Sequence, residues 1–171
     1  MNYITERHHT FENGYISLRD MRFTGLSSEI VVDGEALPVQ TEHHISLVCT
    51  KDLAPLIDAE NSAEVEQQLV QAFLQYEAQN NMTDYELTGD FYFVETEDRK
   101  SVVVGCKVLH LAELFDQLSV IFGCKLPTQY AHIKLYARNN AGIPILSEEV
   151  LERIARPIEL PELAGLHKEQ S

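Results

Sequence analysis

The stretch His43–Cys49 reads His-His-Ile-Ser-Leu-Val-Cys, and a variant of it recurs at 131–137 as Ala-His-Ile-Lys-Leu-Tyr-Ala. Each copy alternates polar and apolar residues with a period of two, which is typical of a half-buried β-strand. In such a strand His44 and Ser46 share one face, as do His132 and Lys134. Two strands of one sheet that each present a histidine and a neighbour able to bind phosphate predict a symmetric pocket.

The sequence around these two strands predicts hairpins and helices in alternation. Asp33-Gly34 lies between two β-forming runs and predicts a tight hairpin over 29–39 that leads into the first histidine strand. Apolar residues recur every three or four positions in three segments, which predicts three helices. The predicted elements after the first histidine strand are a loop at 51–60 containing Pro55, a helix at 62–79, a hairpin of strands 85–94 and 101–108, a helix at 109–122, the second histidine strand at 130–137 and a helix capped by Ser147.

This order of elements predicts an α+β fold. Tight hairpins favour a largely antiparallel sheet, which would carry both histidine strands, with about three helices packed outside it. A chain of 171 residues can bury one substantial core. We therefore expect a single bilobal domain of two fused lobes over 1–171, with the core at about 29–157 and peripheral segments at 1–28 and 158–171.

Composition narrows the range of partners. A net charge of −14 argues against binding to long duplex nucleic acid, because such binding requires many phosphates to be neutralised. No apolar run is long enough to span a bilayer, and Met1–Thr10 lacks the apolar core of a signal peptide, so the prediction is a cytoplasmic protein without membrane association. The three cysteines form no CxxC pair, and we expect them to be reduced.

Several other polar residues invite a functional interpretation. Lys51, Lys134 and Arg138 are the candidates for a local cluster that could hold a small anion, although Lys51 and Arg138 are also ordinary surface charges. His8 and His9 are expected to be surface residues. His43 should pack on the strand face opposite His44, and His110, at the start of a helix, should be structural.

The two tetrapeptides His44-Ile-Ser-Leu and His132-Ile-Lys-Leu resemble the mark of the two-histidine (2H) phosphoesterase superfamily, which includes the LigT-like RNA ligases and cyclic phosphodiesterases. That mark is a duplicated His-apolar-Ser/Thr-apolar motif on two strands of a bilobal α+β fold. The first copy matches completely, whereas the second has Lys134 in place of Ser or Thr. Similarity in order and spacing extends over about 30–157, including the continuation through Gly142 to Ile145.

The resemblance implies a hydrolase that acts on a phosphoester without a metal or another cofactor, as in opening a cyclic phosphate or hydrolysing a phosphodiester. Its substrate would be a small nucleotide or an RNA end. One of His44 and His132 would act as general base and the other as general acid, which suits imidazole because its ordinary pKa is about 6.5. Ser46 would bind a non-bridging phosphate oxygen. Tyr136 would lie on the face of His132 and stack on a base, or make a plain cross-strand contact.

Lys134 opens alternatives to this function. Its ammonium could bind phosphate more strongly than a hydroxyl does. The same charge would lower the pKa of both histidines, which favours the base and hinders the acid. The longer side chain could instead fill the pocket of a non-catalytic nucleotide-binding or anion-binding relative. A further alternative is an interaction domain whose acidic helix face at 62–79 contacts a protein partner of unknown identity.

Overall fold

The computed structural model describes residues 9–139 and 143–169. It confirms an α+β fold with largely antiparallel sheets, and it contains four α-helices where the sequence predicts about three. Within the described residues, no helix is both long and apolar enough to cross a membrane. In chain order the elements are β1 His9–Glu12, β2 Tyr15–Leu18, β3 Phe23–Thr24, β4 Glu29–Val32, β5 Glu35–Pro38, β6 Ile45–Val48, α1 Thr50–Ile57, α2 Ser62–Gln79, β7 Tyr85–Thr96, β8 Arg99–Val108, α3 Leu111–Phe122, β9 His132–Ala137, α4 Glu148–Ile154, β10 Ala155–Ile158, a 3₁₀ turn Pro161–Leu163 and β11 His167–Lys168.

The chain divides into two compact units. The described part of the first unit comprises 9–18, 46–85 and 108–129, and that of the second comprises 19–45, 86–107, 130–139 and 143–169. The strand of the first histidine motif, β6, lies in a three-stranded sheet of order β1-β2-β6. The strand of the second motif, β9, lies in a four-stranded sheet of order β10-β7-β8-β9. The two motifs therefore belong to separate sheets, whereas the sequence predicted that one sheet would carry both.

The core of the first unit includes residues of the helix α2 and of the N-terminal strand β1. In α2 the residues that recur at helical spacing, Val65, Leu69, Ala72 and Phe73, are buried, because this stripe is the apolar face of an otherwise Glu- and Gln-rich helix. His9 in β1 is only 1 % exposed; its Nε2 lies 3.2 Å from the carbonyl oxygen of Met82, and its ring meets that of Phe73 edge-on.

One expectation about the N-terminus therefore needs correction. His9 is a buried residue and not a surface residue, while His8 lies outside the described residues. The hairpin β1–β2 contributes Phe11, Ile16 and Leu18 to the buried core. In the second unit, Leu160 and Leu163 are also buried.

The expectation of a loop at 51–60 is also wrong, because Thr50–Ile57 forms the helix α1. Pro55 lies inside this helix and cannot donate a backbone hydrogen bond, which is why the sequence favoured a loop. Tertiary contacts outweigh that cost, since Leu53 and Ala54 are buried and the Thr50 hydroxyl donates to Glu66 Oε1 at 2.9 Å.

The second unit is built on the four-stranded sheet. The predicted hairpin of two strands is formed by β7 and β8, but it turns at Glu97-Asp98, so the connection is shorter than the predicted loop at 95–100. Strands β9 and β10 pair antiparallel with β8 and β7. The side chains that cover one face of this sheet include Val94, Val103, Ile143, Ile145 and Leu151, with Leu151 supplied by α4. Ser147 caps α4 by accepting a hydrogen bond from the backbone N–H of Val150, as predicted.

Candidate functional site

His132 and Lys134 share one face of the four-stranded sheet. In the β8–β9 register His132 lies opposite Gly105 and Lys134 lies opposite Val103, so both side chains are on the same side. Both are half-buried. His132 Nδ1 lies 3.0 Å from the Tyr130 carbonyl oxygen, which accepts a hydrogen bond from the ring N–H. This bond leaves Nε2 as the ring nitrogen that can exchange a proton with a ligand.

The position of His132 depends on Tyr130 and on a missing side chain at Gly105. The Tyr130 and His132 rings are nearly parallel, with centroids 6.2 Å apart and an interplanar angle of 21°. A Cβ atom at Gly105 would lie 2.4 Å from Tyr130 Oη and 2.8 Å from Thr88 Oγ1, closer than side chains tolerate. Glycine at 105 therefore leaves the space that Tyr130 occupies, and Tyr130 in turn orients His132.

The backbone carries His44 toward His132. Val39 pairs antiparallel with Tyr136 in an isolated bridge, and Gln40 N donates to the Leu135 carbonyl at 2.8 Å. The chain then bends at Thr41 and Glu42 and reaches His44 four residues after Gln40, immediately before β6. The pKa of His44 is lowered to about 4, first by burial and then by the positive charges of Arg19 and Lys134 and by His132.

Arg19, which follows the last residue of β2, also lies near His44. Strands β2 and β6 are neighbours in their sheet, and Lys51 N, just after β6, donates to the carbonyl of Gly14, just before β2. The beginning of β2 thus lies beside the end of β6, so the two strands are antiparallel. In that arrangement the half-buried Arg19, which follows β2, emerges beside His44, which precedes β6.

The charged side chains that lower the pKa values of the two histidines are cationic. Burial and then the charge of Arg99 lower the pKa of Lys134. Burial also lowers the pKa of His132, against the opposing effect of the Tyr130 carbonyl, and Lys134 lowers it further. In a chain of net charge −14, such a concentration of positive charge is a local departure from the overall field. An anion bound among these groups would relieve their mutual repulsion.

The structure thus brings together three of the predicted site residues, His44, His132 and Lys134, in the second unit. Ser46 is half-buried on β6 and belongs to the first unit, and its role in phosphate binding stays a prediction. His43 packs its ring edge-on against Phe23, as expected, with centroids 5.2 Å apart. Within residues 9–139 and 143–169, the buried His43 Nε2 has no hydrogen-bond partner, and burial lowers the pKa of this residue.

The predicted stacking of Tyr136 on a base needs correction. Its ring is 0 % exposed, and its hydroxyl donates to the Ser27 carbonyl at 3.0 Å and also contacts Ser27 Oγ. The cause is a β-bulge, because Val102 pairs with Tyr136 while Val103 pairs with Lys134, which leaves Leu135 as an extra residue in β9. This extra residue moves Tyr136 to the face opposite His132 and Lys134.

The two other predicted cations are engaged elsewhere. Arg138 donates two hydrogen bonds of 2.7 Å to the Glu35 carboxylate, and Lys100 adds a third of 3.1 Å. These contacts lower the pKa of Glu35 to about 2. Lys51, in the first unit, lies over the Tyr15 ring with its Nζ 4.6 Å from the centroid. Arg138 and Lys51 each have a partner within their own unit.

Sequence reasoning missed Arg19 and Arg99. The one available signal for Arg19 was its place directly after a short alternating stretch at 15–18, but the pairing of that strand with β6 is a long-range feature. Arg99 lies in what looked like a charged loop. The structure extends β8 back to Arg99, and so places this residue in the sheet.

Metal-binding clusters and reactive thiols are two other kinds of site. They contain no group of three or more His, Cys, Asp or Glu side chains that could hold a metal ion. Cys49 and Cys106 are buried free thiols, and burial raises the pKa of each to about 12. A thiol with so high a pKa is a poor nucleophile near neutral pH.

Comparison with known proteins adds no relative, since no protein-family model, curated protein or solved structure matches the chain. The site has to be interpreted from its own residues.

Proposed function

We propose that this protein is a metal-independent phosphoesterase of the two-histidine type, which opens a cyclic phosphate or hydrolyses a phosphodiester in a small nucleotide or an RNA end. The observation that carries the proposal is the placement of His44 and His132 in one cationic neighbourhood with Arg19 and Lys134. Paired imidazoles provide acid and base, and the cations provide affinity for phosphate. The duplicated sequence motif supports the same chemistry independently.

The two histidines differ in their hydrogen bonding. His44, with a pKa of about 4, is neutral at pH 7, as a general base that takes a proton from water has to be. Burial lowers the pKa of His132 as well, but the Tyr130 carbonyl opposes that effect by stabilising the protonated form, so we assign the general acid to His132. In the reaction, water attacks phosphorus while His44 accepts its proton. The bond from phosphorus to the ribose oxygen breaks, and that oxygen receives the proton from His132 Nε2.

Substrate binding itself would prepare the acid. In the free protein burial and Lys134 lower the pKa of His132, which disfavours the protonated form that an acid requires. A phosphate held by Lys134 and Arg19 brings a negative charge close to both imidazoles and raises the pKa of each. Protonation of His132 would therefore be coupled to substrate binding, and Lys134 would hold the phosphate in place of the motif's usual hydroxyl.

The test is turnover of a nucleoside 2′,3′-cyclic phosphate and of a linear 2′-5′ dinucleotide in the presence of EDTA. We expect His44→Ala and His132→Ala each to reduce turnover by ~10²–10⁴-fold, the usual contribution of a general acid or base. His167→Ala is the matched control, because His167 is exposed and lies in the same unit on β11. Full activity in either site variant, or a requirement for added metal, would contradict the proposal.

A second candidate function is nucleotide or anion binding without catalysis. It is favoured by the low pKa of His44 together with Lys134, since an anion pocket needs the cations but no proton transfer. Saturable binding of the cyclic phosphate without turnover at any pH between 5 and 8 would support this alternative over the enzyme.

A further inference from the structure

Phe23, on β3, packs against the histidine that directly precedes His44. The rings of Phe23 and His43 meet edge-on, with centroids 5.2 Å apart and an interplanar angle of 88°. Aromatic pairs in this arrangement are stabilised beyond the apolar area that they bury, and they favour one mutual orientation. In the part of the chain that the structure describes, the Nε2 of His43 makes no hydrogen bond, so packing on Phe23 holds this ring.

The position of His44 depends on that of His43. Both belong to the segment 40–44, which lies outside the helices and strands. The segment is tied to β9 at its first residue, since Gln40 N donates to the Leu135 carbonyl at 2.8 Å. At its other end the contact between His43 and Phe23 restrains it. Because the peptide unit that joins His43 to His44 is rigid, a shift of the His43 ring moves the backbone that carries His44.

The C-terminal strand β11 in turn holds Phe23. Lys168 pairs with Phe23 in the antiparallel two-stranded sheet of β3 and β11, and Glu169 N donates to the Arg22 carbonyl at 2.9 Å. Backbone groups make this pairing, so it does not depend on the side chain of His167. The strand that supports the His43 segment is therefore fixed by the other end of the same unit.

A close backbone approach fixes where the C-terminal segment meets β3. Gly25, directly after β3, has a φ of +97°, and a Cβ atom at this position would lie 2.6 Å from the Gly165 carbonyl oxygen. Glycine alone leaves room for this approach. Leu163, in the preceding 3₁₀ turn, is buried and anchors the segment. A two-stranded sheet is marginally stable by itself, so these two contacts help to keep β11 in place.

We propose that Phe23 is a positioning residue for His44, and that β11 holds Phe23 where this role requires it. Phe23 acts through the His43 ring and takes no part in proton transfer. The inference rests on the proposed function, which makes His44 the general base. A misplacement of about 1 Å costs as much as ~10²-fold in rate, so loss of the Phe23 ring should lower kcat by ~10–100-fold. KM should stay nearly unchanged, because Lys134 is placed by β9 and not by β3.

Turnover of a nucleoside 2′,3′-cyclic phosphate tests this role in Phe23→Ala, Phe23→Tyr and Phe91→Ala. Phe91 is a half-buried phenylalanine of β7 in the same unit and serves as the matched control. Phe23→Ala should lose kcat, whereas Phe23→Tyr keeps the ring and should retain most of it. Phe91→Ala should retain kcat. In a His43→Ala background, Phe23→Ala should lower kcat no further, because the two residues act through one contact.

Two glycine substitutions test the contribution of β11. Gly25→Ala places a Cβ atom against the Gly165 carbonyl and should lower kcat in the same direction as Phe23→Ala. Gly34→Ala is the control, because Gly34 also has a positive φ, of +82°, but no atom lies within 4 Å of its Cβ position. It should retain kcat. Normal kcat in Gly25→Ala, or an equal loss in both variants, would overturn the part assigned to β11.

The pKa of His44, measured by proton NMR of the imidazole ring, tests the positioning without turnover. Burial is the first cause of the low pKa of His44, so release of this residue in Phe23→Ala should raise its pKa by about one unit or more. An unchanged His44 pKa or an unchanged kcat in folded Phe23→Ala protein would overturn the role, and so would an equal change in Phe91→Ala.

Failure of the proposed function looks different. In that case the wild type turns over no cyclic phosphate, and the His44 pKa in Phe23→Ala and Phe91→Ala alone decides whether Phe23 positions His44. Thermal denaturation verifies that the variants fold. If Phe23→Ala does not fold, Phe23→Leu, which keeps an apolar side chain without the ring, takes its place under the same criteria.

Discussion

The charge of Lys134 should control the protonation of His44. Lys134 is among the groups that lower the pKa of His44 to about 4, after burial and Arg19. The substitution Lys134→Met removes the ammonium and keeps an unbranched aliphatic side chain, so the packing of the half-buried stem changes little. The pKa of His44 should rise in this variant, because one source of like-charge repulsion is gone.

The size of the rise is limited by the other causes of the low pKa. Burial and Arg19 are larger causes than Lys134 of the fall from 6.5 to about 4, so Lys134 accounts for less than ~1 pKa unit. Coulomb's law agrees, since a unit charge ~6 Å away contributes ~0.7 kcal/mol at the dielectric constant of water, and 1.36 kcal/mol corresponds to one pKa unit. The expected rise is therefore ~0.5 unit. Burial persists in the variant, so the pKa of His44 should stay below the ordinary value of about 6.5.

Proton NMR of the imidazole ring measures this pKa directly and requires no substrate. The His44 resonance is assigned by its loss in His44→Ala and followed from pH 3.5 to 8 in the wild type, in Lys134→Met and in Lys125→Met. Lys125 is an exposed lysine of the first unit and provides the control. An unchanged or lower His44 pKa in Lys134→Met, or an equal rise in Lys125→Met, would refute the placement of Lys134 beside His44.

Three further predictions concern the scaffold of the site. Gly105→Ala would place a Cβ atom against Tyr130 Oη and should displace Tyr130. It should lower the free energy of unfolding by ~1–3 kcal/mol in denaturant experiments and reduce turnover. Gly165→Ala is the control and should change neither, because no atom lies within 4 Å of its Cβ position. Tyr136→Phe removes the buried hydroxyl bonded to Ser27 and should cost ~1–2 kcal/mol with turnover unchanged, whereas lower turnover at normal stability would revive the stacking role. His44 in the folded state binds its proton less readily than in the unfolded state, so the free energy of unfolding should fall as the pH drops from ~6.5 to ~4, by at most ~3 kcal/mol from this residue. Denaturation of His44→Asn should show a flatter dependence of stability on pH. An unchanged pH dependence would count against the low pKa of His44.

Local patterns predicted the elements well where packing follows from the sequence period. The helix expected over 62–79 is α2 to the residue, and the hairpin at Asp33-Gly34 forms where turn residues separate β-forming runs. The second hairpin also forms, with a shorter connection than the predicted loop at 95–100. The loop expected around Pro55 failed because burial of Leu53 and Ala54 is a tertiary effect. The prediction that His9 lies on the surface was wrong for a similar reason, since its burial depends on Met82, 73 residues away in the sequence.

The site could be predicted in part. The repeated motif identified His44, His132 and Lys134, because alternation within a strand is a local property. The same rule misplaced Tyr136, since it assumes an unbroken ladder and the bulge at Leu135 shifts every later residue. Arg19 and Arg99 join the site through strand pairing and strand extension, for which the sequence carries no local signal.

If His44 and His132 act on one ligand, both should report its binding. Titration with uridine 3′-monophosphate at pH 6 can be followed through the imidazole resonances of both histidines. We expect both resonances to shift with a single shared dissociation constant and the pKa of each histidine to rise in the complex, while the resonance of the exposed His167 stays unchanged. Shifts of only one of the two histidines, or two different dissociation constants, would contradict this expectation.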